Sequence, residues 1–143
     1  MSEILSYKEL DVWKQARVLG KIIYELTKSF PKEEQFGLIS QIRRAAISIP
    51  SNIAEGCGRN HSKDSIQFFF IARGSIYELE TQLTLAEDLG FISNEVAEVS
   101  LNQVTRCKKL INGFINYFQK QSNNQQRTTV NETFEVYGND NTN

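Results

Sequence analysis

Residues 41–56 read QIRRAAISIPSNIAEG, and this stretch decides the fold. Its apolar side chains recur at alternating spacings of three and four, through Ile42, Ala46, Ile49 and Ile53. That spacing is typical of a helix that buries one seam against neighbouring helices. The stretch therefore predicts an amphipathic helix that belongs to an all-α protein.

A proline interrupts this helix. Pro50 removes one backbone hydrogen bond, at a cost of about 3 kcal/mol or more, and leaves the carbonyl of Ala46 without its usual partner. We therefore predict a bend at Pro50, with Ser48 or Asn52 bonding the backbone groups that it frees. The alternative interpretation is that Asn52 and Glu55 face a binding partner.

Three further segments on either side of this stretch repeat the helical spacing. Short connections around Pro31, at residues 56–61 and at residues 90–92 make sequence neighbours antiparallel. The sequence predicts an antiparallel up-down-up-down four-helix bundle over residues 1–121. The core residues expected from the three segments are Val12, Ala16, Leu19, Ile23, Leu26 and Phe30, then Phe69, Ala72, Ile76, Leu79, Leu83 and Ala86, then Val104, Cys107, Ile111, Phe114 and Phe118.

Residues 122–143 differ in composition from the rest of the chain. They are rich in Asn, Gln, Ser and Thr, which cannot bury enough apolar surface to offset the entropy of ordering. We predict a disordered polar tail, separate from the bundle domain. The less polar run Phe134–Tyr137 leaves open a strand that pairs with a partner.

Composition excludes several classes of protein. The net charge is −1, which argues against a strongly basic nucleic-acid binder. No apolar run approaches the roughly 20 residues that span a bilayer, and no secretory signal is present. Cys57 and Cys107 lie far apart and make no disulfide framework. We expect a cytoplasmic protein with reduced thiols and no membrane segment.

The chain offers little for catalysis. A di-iron bundle needs two Glu-x-x-His pairs, and His61 is the single histidine in the sequence. The glycines around Cys57 lack the Gly-Lys-Ser/Thr of a phosphate-binding loop. Cys57 and His61 remain a conceivable nucleophile and base, although such a pair in a glycine-containing turn is more often structural. We predict no enzyme activity, no catalytic residue, no metal ligand and no cofactor.

Basic residues concentrate near the middle of the predicted bundle. When antiparallel neighbours are aligned about their turns, six Lys and Arg residues fall near one level, with Glu78 and Glu80 as counter-charges. Two interpretations stay open: the acids use the arginines in interhelical ion pairs, or spare positive charge binds phosphates. The six candidate nucleic-acid-binding residues are Arg17, Arg43, Arg44, Arg73, Lys108 and Lys109.

Three consecutive phenylalanines point in three directions on a helix, so one core cannot bury all of them. Phe69 belongs to the core seam. We therefore expect Phe68 or Phe70 to form an oligomer interface. The same alignment places Ala46 opposite Gly74, where two small residues would let the second and third helices approach closely.

The chain resembles the bacterial four-helix bundle family, also called the 23S rRNA intervening-sequence or S23 family. The resemblance rests on YKELDVW at residues 7–13, on the quoted stretch, and on ELETQL at residues 78–83. It covers about residues 7–118. The family-motif residues, which we interpret as structural, are Ser48, Pro50, Asn52, Glu55, Gly56, Gly74, Glu78 and Glu80.

The resemblance implies a homopentamer without catalytic activity. Some members are encoded within insertions in 23S rRNA genes. A related branch, the accessory variability determinant of diversity-generating retroelements, binds nucleic acid and a reverse transcriptase, but that branch is strongly basic. Our first hypothesis is an oligomeric accessory protein that binds RNA or DNA. The alternative is a scaffolding oligomer that binds another protein, such as a reverse transcriptase.

Overall fold

The computed structural model describes the backbone of residues 6–138 and the side chains of residues 6–124. Within residues 6–138 the chain forms helices and no strand, which confirms the all-α prediction. Two 3-10 turns, Tyr7–Glu9 and Lys32–Glu34, precede the first and second helices. The four long helices are α1 (Asp11–Thr27), α2 (Leu38–Cys57), α3 (Ser62–Asp88) and α4 (Asn94–Gly138).

The four helices pack as a square. Helix α1 contacts α2 and α4, α3 contacts the same two helices, and neither diagonal pair makes contact within the described chain. Side-chain pairs between helices show the antiparallel directions. Ser48 on α2 meets Ser75 on α3, whereas Gly56, later on α2, meets Phe69, earlier on α3. Likewise Glu80 on α3 meets Lys108 on α4, whereas Arg73, earlier on α3, meets Asn112, later on α4. The predicted up-down-up-down bundle is therefore confirmed.

The core follows the helical spacing of the sequence. Fully buried aliphatic side chains from all four helices surround Phe69, whose ring meets Phe114 edge-on at 4.8 Å and Phe118 at 5.1 Å between centroids. Of the predicted core positions, Leu26, Phe114 and Phe118 are half-buried and pack against the core, and the rest are buried. Edge-on aromatic pairs add about 0.5–1.5 kcal/mol each to the area that they bury.

The connection between α1 and α2 is longer than the sequence suggests. The sequence predicts only a short connection around Pro31, but Lys32–Glu34 form a 3-10 turn and α2 begins at Leu38. The Glu34 carboxylate accepts a hydrogen bond from the Leu38 backbone N–H at 3.1 Å and so satisfies one of the free donors at the start of α2. This longer turn shifts the register between α1 and α2.

Helix α2 continues through Pro50 without a break. The Asn52 amide donates to the Ser48 backbone carbonyl at 2.8 Å and to the Ser48 hydroxyl at 2.9 Å. Side-chain bonding beside the proline was expected, although the carbonyl that it reaches belongs to Ser48 and not to Ala46. The Ser48 hydroxyl also accepts from Ser75, so the polar groups around Pro50 tie α2 to α3.

The close approach of α2 and α3 occurs at Gly56 and not at Gly74. Gly74 is exposed, and a Cβ added there would meet nothing within 4 Å, so the predicted contact between Ala46 and Gly74 is wrong. A Cβ added at Gly56 would overlap the ring of Phe69, with Cδ1 at 2.9 Å. The reason is helix rotation, because Ala72, Ser75 and Ile76 face inward and Gly74 faces out.

The turn between α3 and α4 agrees with the sequence. Gly90 adopts φ +76°, a left-handed conformation that glycine accepts without strain. The Phe91 backbone N–H then bonds the Ala86 carbonyl at 2.9 Å, which closes the end of α3. The Phe91 ring folds back and packs against Phe30 with 5.5 Å between centroids.

Helix α4 continues past residue 121, where the sequence analysis places the start of a disordered tail, and ends at Gly138. Residues 114–137 contain no Pro or Gly, so no helix-breaking residue stops it earlier. Side chains after residue 124 and all of residues 139–143 lie outside the described part, so the domain boundary at 121 stays a prediction. None of the helices in residues 6–138 combines the length and apolar character of a membrane span.

Candidate nucleic-acid interface

The six predicted basic residues do not share one level. Arg43 lies beside Tyr24 and Thr27 near the end of α1, about two to three turns beyond Arg17, a rise of roughly 10–15 Å at 1.5 Å per residue. The predicted pairing of Arg17 with Arg43 is therefore wrong. Its cause is the added turn at Lys32–Glu34, which moves α2 along α1.

Arg43 serves the bundle itself. Its Nε donates to the hydroxyl of Thr27 at 2.8 Å, and its guanidinium lies 4.6 Å from the centroid of the Tyr24 ring. Thr27 is buried and its hydroxyl in turn donates to the Ile23 carbonyl at 2.7 Å. The planar guanidinium of arginine suits this combination of stacking and donation, which fixes α2 against α1.

Arg73 and Lys108 join α3 to α4. Arg73 donates to the Asn112 side-chain oxygen at 3.3 Å and stacks on Phe70 at 5.1 Å. Lys108 bonds Glu80 at 2.6 Å with both side chains partly buried. An ion pair of this kind is stronger than an exposed one because water screens it less.

The acids therefore pair differently from the predicted ion pairs. Glu80 meets Lys108 instead of Arg43 or Arg44, and Glu78 accepts from Gln82 at 3.3 Å. Among the six candidates, three are thus engaged in contacts between helices.

The other three candidates are exposed, and none has a carboxylate within 4.0 Å among the described residues. Arg17 stacks over Trp13 on α1 at 5.6 Å. Lys109 lies on the surface between α1 and α4, beside Asp11. Arg44 lies on the opposite side of α1, in a surface hollow between α1 and α2.

The sequence analysis missed basic residues that join Arg17. Lys14 and Lys21 are exposed on α1 at positions three before and four after Arg17, so the three residues lie along one face. On α4, Arg106 is exposed one turn before Lys109. The sequence does contain the pattern that predicts this row. Lys14, Arg17 and Lys21 recur at helical spacing on the side of α1 opposite its apolar seam. We call Lys14, Arg17 and Lys21 the α1 basic row.

The predicted interface phenylalanines are half-buried, and arginines cover them. Arg59 lies 4.6 Å from the Phe68 ring centroid, and Arg73 stacks on Phe70. Cation–π contacts at such partly exposed sites contribute about 0.5–1 kcal/mol each. A role for Phe68 or Phe70 in an oligomer interface stays a prediction. Apolar side chains that are more exposed lie elsewhere in the described chain.

Neither thiol has the character of an activated nucleophile. Burial raises the pKa of Cys107 to about 12, although Arg106 opposes the shift. Desolvation also raises the pKa of the Cys57 thiol, although the residue as a whole is exposed. A catalytic cysteine needs a lowered pKa. Within the described residues, no group of three His, Cys, Asp or Glu side chains is placed to hold a metal ion.

The motif residue Glu55 is exposed, and Asn52 is half-buried and bonded to Ser48. The conformation of this motif thus follows from α2 and its contact with α3. Of the family-motif residues, Gly74 and Glu55 face outward, while Ser48 and Gly56 lie at the contact between these two helices.

Comparison with known proteins agrees with this architecture. The model of the 23S rRNA-intervening sequence protein family matches residues 8–113. A solved structure from Bacteroides thetaiotaomicron VPI-5482, described as a protein with unknown function from the S23 ribosomal protein family, is 28% identical with a TM-score of 0.68. The match covers 73% of this chain and 97% of that chain. No curated protein matches the chain significantly. The chain therefore belongs to the 23S rRNA-intervening sequence protein family.

Proposed function

We propose that this chain is a non-enzymatic homo-oligomer that binds the phosphate backbone of RNA or DNA. The observation that carries the proposal is the α1 basic row, which is exposed and has no carboxylate within 4.0 Å in the described structure. Lys109 on α4 adds positive charge beside α1, and Arg106 is exposed one turn before it.

The chemistry of these side chains favours the phosphate backbone over the bases. Lys and Arg release counterions when they neutralise phosphates, which gives affinity without sequence information. Lys14 and Arg17 are exposed on the surface of α1, outside the groove between α1 and α4, and present charge to a phosphate backbone. We therefore propose weak binding with little sequence preference. The family description refers to intervening sequences of 23S rRNA, which supports RNA as the first nucleic acid to test.

Repetition would make such weak sites useful. One chain has a net charge of −1 and offers a short basic row, so its field is small. An oligomer repeats the row, and one nucleic-acid strand that reaches several copies binds with a raised effective concentration. We propose the pentamer that the resemblance implies.

Free thiols at Cys57 and Cys107 support a cytoplasmic protein, where cysteines stay reduced.

The test compares two double variants with the same change in net charge. Lys14→Glu with Arg17→Glu removes the two members of the α1 basic row that lie outside the groove between α1 and α4. Lys63→Glu with Lys120→Glu is the control, because both residues are exposed cations that lie outside the row. Fluorescence anisotropy with a labelled single-stranded RNA at low salt measures the dissociation constant.

We expect the row variant to bind at least tenfold more weakly than wild type, a loss of about 1.4 kcal/mol of binding free energy. The control should bind within about threefold of wild type. Equal weakening in both variants would contradict a specific role for α1. Lys108→Glu is unsuitable for this test because it breaks the ion pair with Glu80.

A scaffold that binds a protein is the second candidate. The observation that favours it is an apolar groove of about 900 Å³ between α1 and α4. If wild-type protein retains neither RNA nor DNA at low salt, the scaffolding function becomes the better account.

A further inference from the structure

The groove lies between the C-terminal half of α1 and the N-terminal part of α4. Apolar side chains form most of its surface, among them Val18, Leu26, Val96 and Val99. Val99 is 63% exposed although it sits on a helix of the bundle. A contiguous exposed apolar surface of this kind usually marks an association site.

A protruding aromatic side chain lies at the same end of the bundle. Phe36, between the Lys32–Glu34 turn and α2, is 91% exposed. It shares a surface between α1 and α2 with Ile47, which is 50% exposed. Burying a phenylalanine side chain is favourable because it removes apolar surface from water, so an exposed one favours association.

These two surfaces lie on adjacent faces of the square. Tyr24 lines the surface around Phe36, and the next residue, Glu25, lines the groove, so both surfaces flank the same turn of α1. Because α1 stands between the two faces, Phe36 does not fill the groove of its own chain. A second copy of the chain can supply the same side chain to that groove.

The surface around Phe36 carries Arg43 and Arg44, whereas the groove carries Glu25 and Glu95 together with one cation, Lys21. Arg44 is exposed beside Phe36, with no carboxylate within 4.0 Å in the described residues. Glu95 is exposed at the edge of the groove, in the first turn of α4. Complementary charges at the rim of an apolar contact fix its register and disfavour wrong partners.

We propose that Phe36 of one copy inserts into the groove between α1 and α4 of a second copy, with Arg44 of the first beside Glu95 of the second. The contact joins two different surfaces, so it is heterologous and repeats from copy to copy until a ring closes. Lys14 and Arg17 line neither surface and remain uncovered, whereas Lys21, the third member of the α1 basic row, lines the groove and becomes covered. The inference rests on the proposed homo-oligomer and names its interface.

The first test uses light scattering after gel filtration at micromolar concentration. Phe36→Asp removes the inserted side chain, and Val99→Asp places a charge in the groove. Tyr117→Asp is the matched control, because Tyr117 is 60% exposed near the far end of the bundle. We expect wild type and the control to have a multiple of the 16.4 kDa chain mass and the two interface variants to have the mass of one chain.

Mixing gives a second test that a misfolded variant cannot pass. The Phe36→Asp chain keeps an intact groove, and the Val99→Asp chain keeps an intact Phe36. An equimolar mixture of the two monomers should therefore form a dimer with one intact interface, at twice the chain mass. A mixture that stays monomeric overturns the heterologous contact.

A charge exchange tests the rim. Arg44→Glu and Glu95→Lys should each shift the protein towards monomer, and the double variant should restore the wild-type mass. Failure of the double variant to do so overturns the proposed register. An oligomer that Phe36→Asp leaves intact refutes this interface alone. A wild-type monomer refutes the interface and the oligomer, whereas RNA binding by the α1 basic row is measured separately by anisotropy.

Discussion

At the residue scale, two glycines that both lie within helices should respond oppositely to substitution by alanine. An added Cβ at Gly56 overlaps the Phe69 ring, which is fully buried against Phe114 and Phe118, whereas Gly74 has open space. We predict that Gly56→Ala lowers the free energy of unfolding by about 1–3 kcal/mol through overpacking. Gly74→Ala should raise it by about 0.5–1 kcal/mol through helix propensity.

Urea denaturation followed by circular dichroism measures both values. Equal effects of the two substitutions would contradict the assignment of Gly56 as the point of close approach between α2 and α3. The sequence marks both glycines equally within the family motif, and the rotation of α3 distinguishes them.

The two thiols should also differ. Cys57 is exposed, while Cys107 is buried with a pKa of about 12, so its thiolate fraction at pH 8 is negligible. We predict that a thiol reagent at pH 8 modifies one cysteine per native chain within minutes and two in urea. In Cys57→Ser the fast reaction should disappear. Rapid modification of both thiols in the native protein would show that the α4 core opens readily.

At the element scale, the helices and their seams could be predicted because burial imposes a spacing that any single sequence displays. Val12, Ala16, Leu19 and Ile23 repeat at three and four residues and are all buried. The connection from α1 to α2 could not be predicted in the same way. Its length depends on a 3-10 turn and on a hydrogen bond that the Leu38 backbone N–H donates to the Glu34 carboxylate. Neither feature produces a periodic pattern in the sequence.

That connection explains the main error in the candidate site. A shift of α2 along α1 separated Arg17 from Arg43, which instead bonds Thr27 and stacks on Tyr24. The alignment of α3 with α4 was closer, because Gly90 fixed the turn correctly. Arg73, expected level with Lys108 and Lys109, meets Asn112 about one turn further along α4. Levels between antiparallel helices are thus only as good as the turn length assumed.

Helix α4 supplies the prediction at this scale. Among the α4 side chains that the structure describes, up to residue 124, the last buried one is Ile115, and Phe118 packs against the core. We predict that truncation after residue 121 changes the free energy of unfolding by less than about 0.5 kcal/mol, as for surface changes away from the core. Thermal or urea denaturation of the full and shortened chains measures it. A loss of several kcal/mol would show that the C-terminal segment packs on the bundle.

At the scale of the whole molecule, net charge is a poor guide to the candidate interface. The chain carries −1 in total, yet α1 presents three cations along one exposed face. Half of the predicted basic residues turned inward to helix contacts. One sequence without helix rotations cannot make that distinction, because inward and outward arginines occur in the same local pattern.

The central claim is that phosphates bind to the α1 basic row, and salt dependence tests it most directly. Anisotropy with a single-stranded RNA, repeated across salt concentrations, gives the slope of log K against log salt. Each phosphate contact contributes about −0.7 for single strands, so two contacts per chain, at Lys14 and Arg17, predict a slope of about −1.4 or steeper, unchanged when the RNA sequence is scrambled. A slope near zero, or no binding at the lowest salt concentration, would contradict the account.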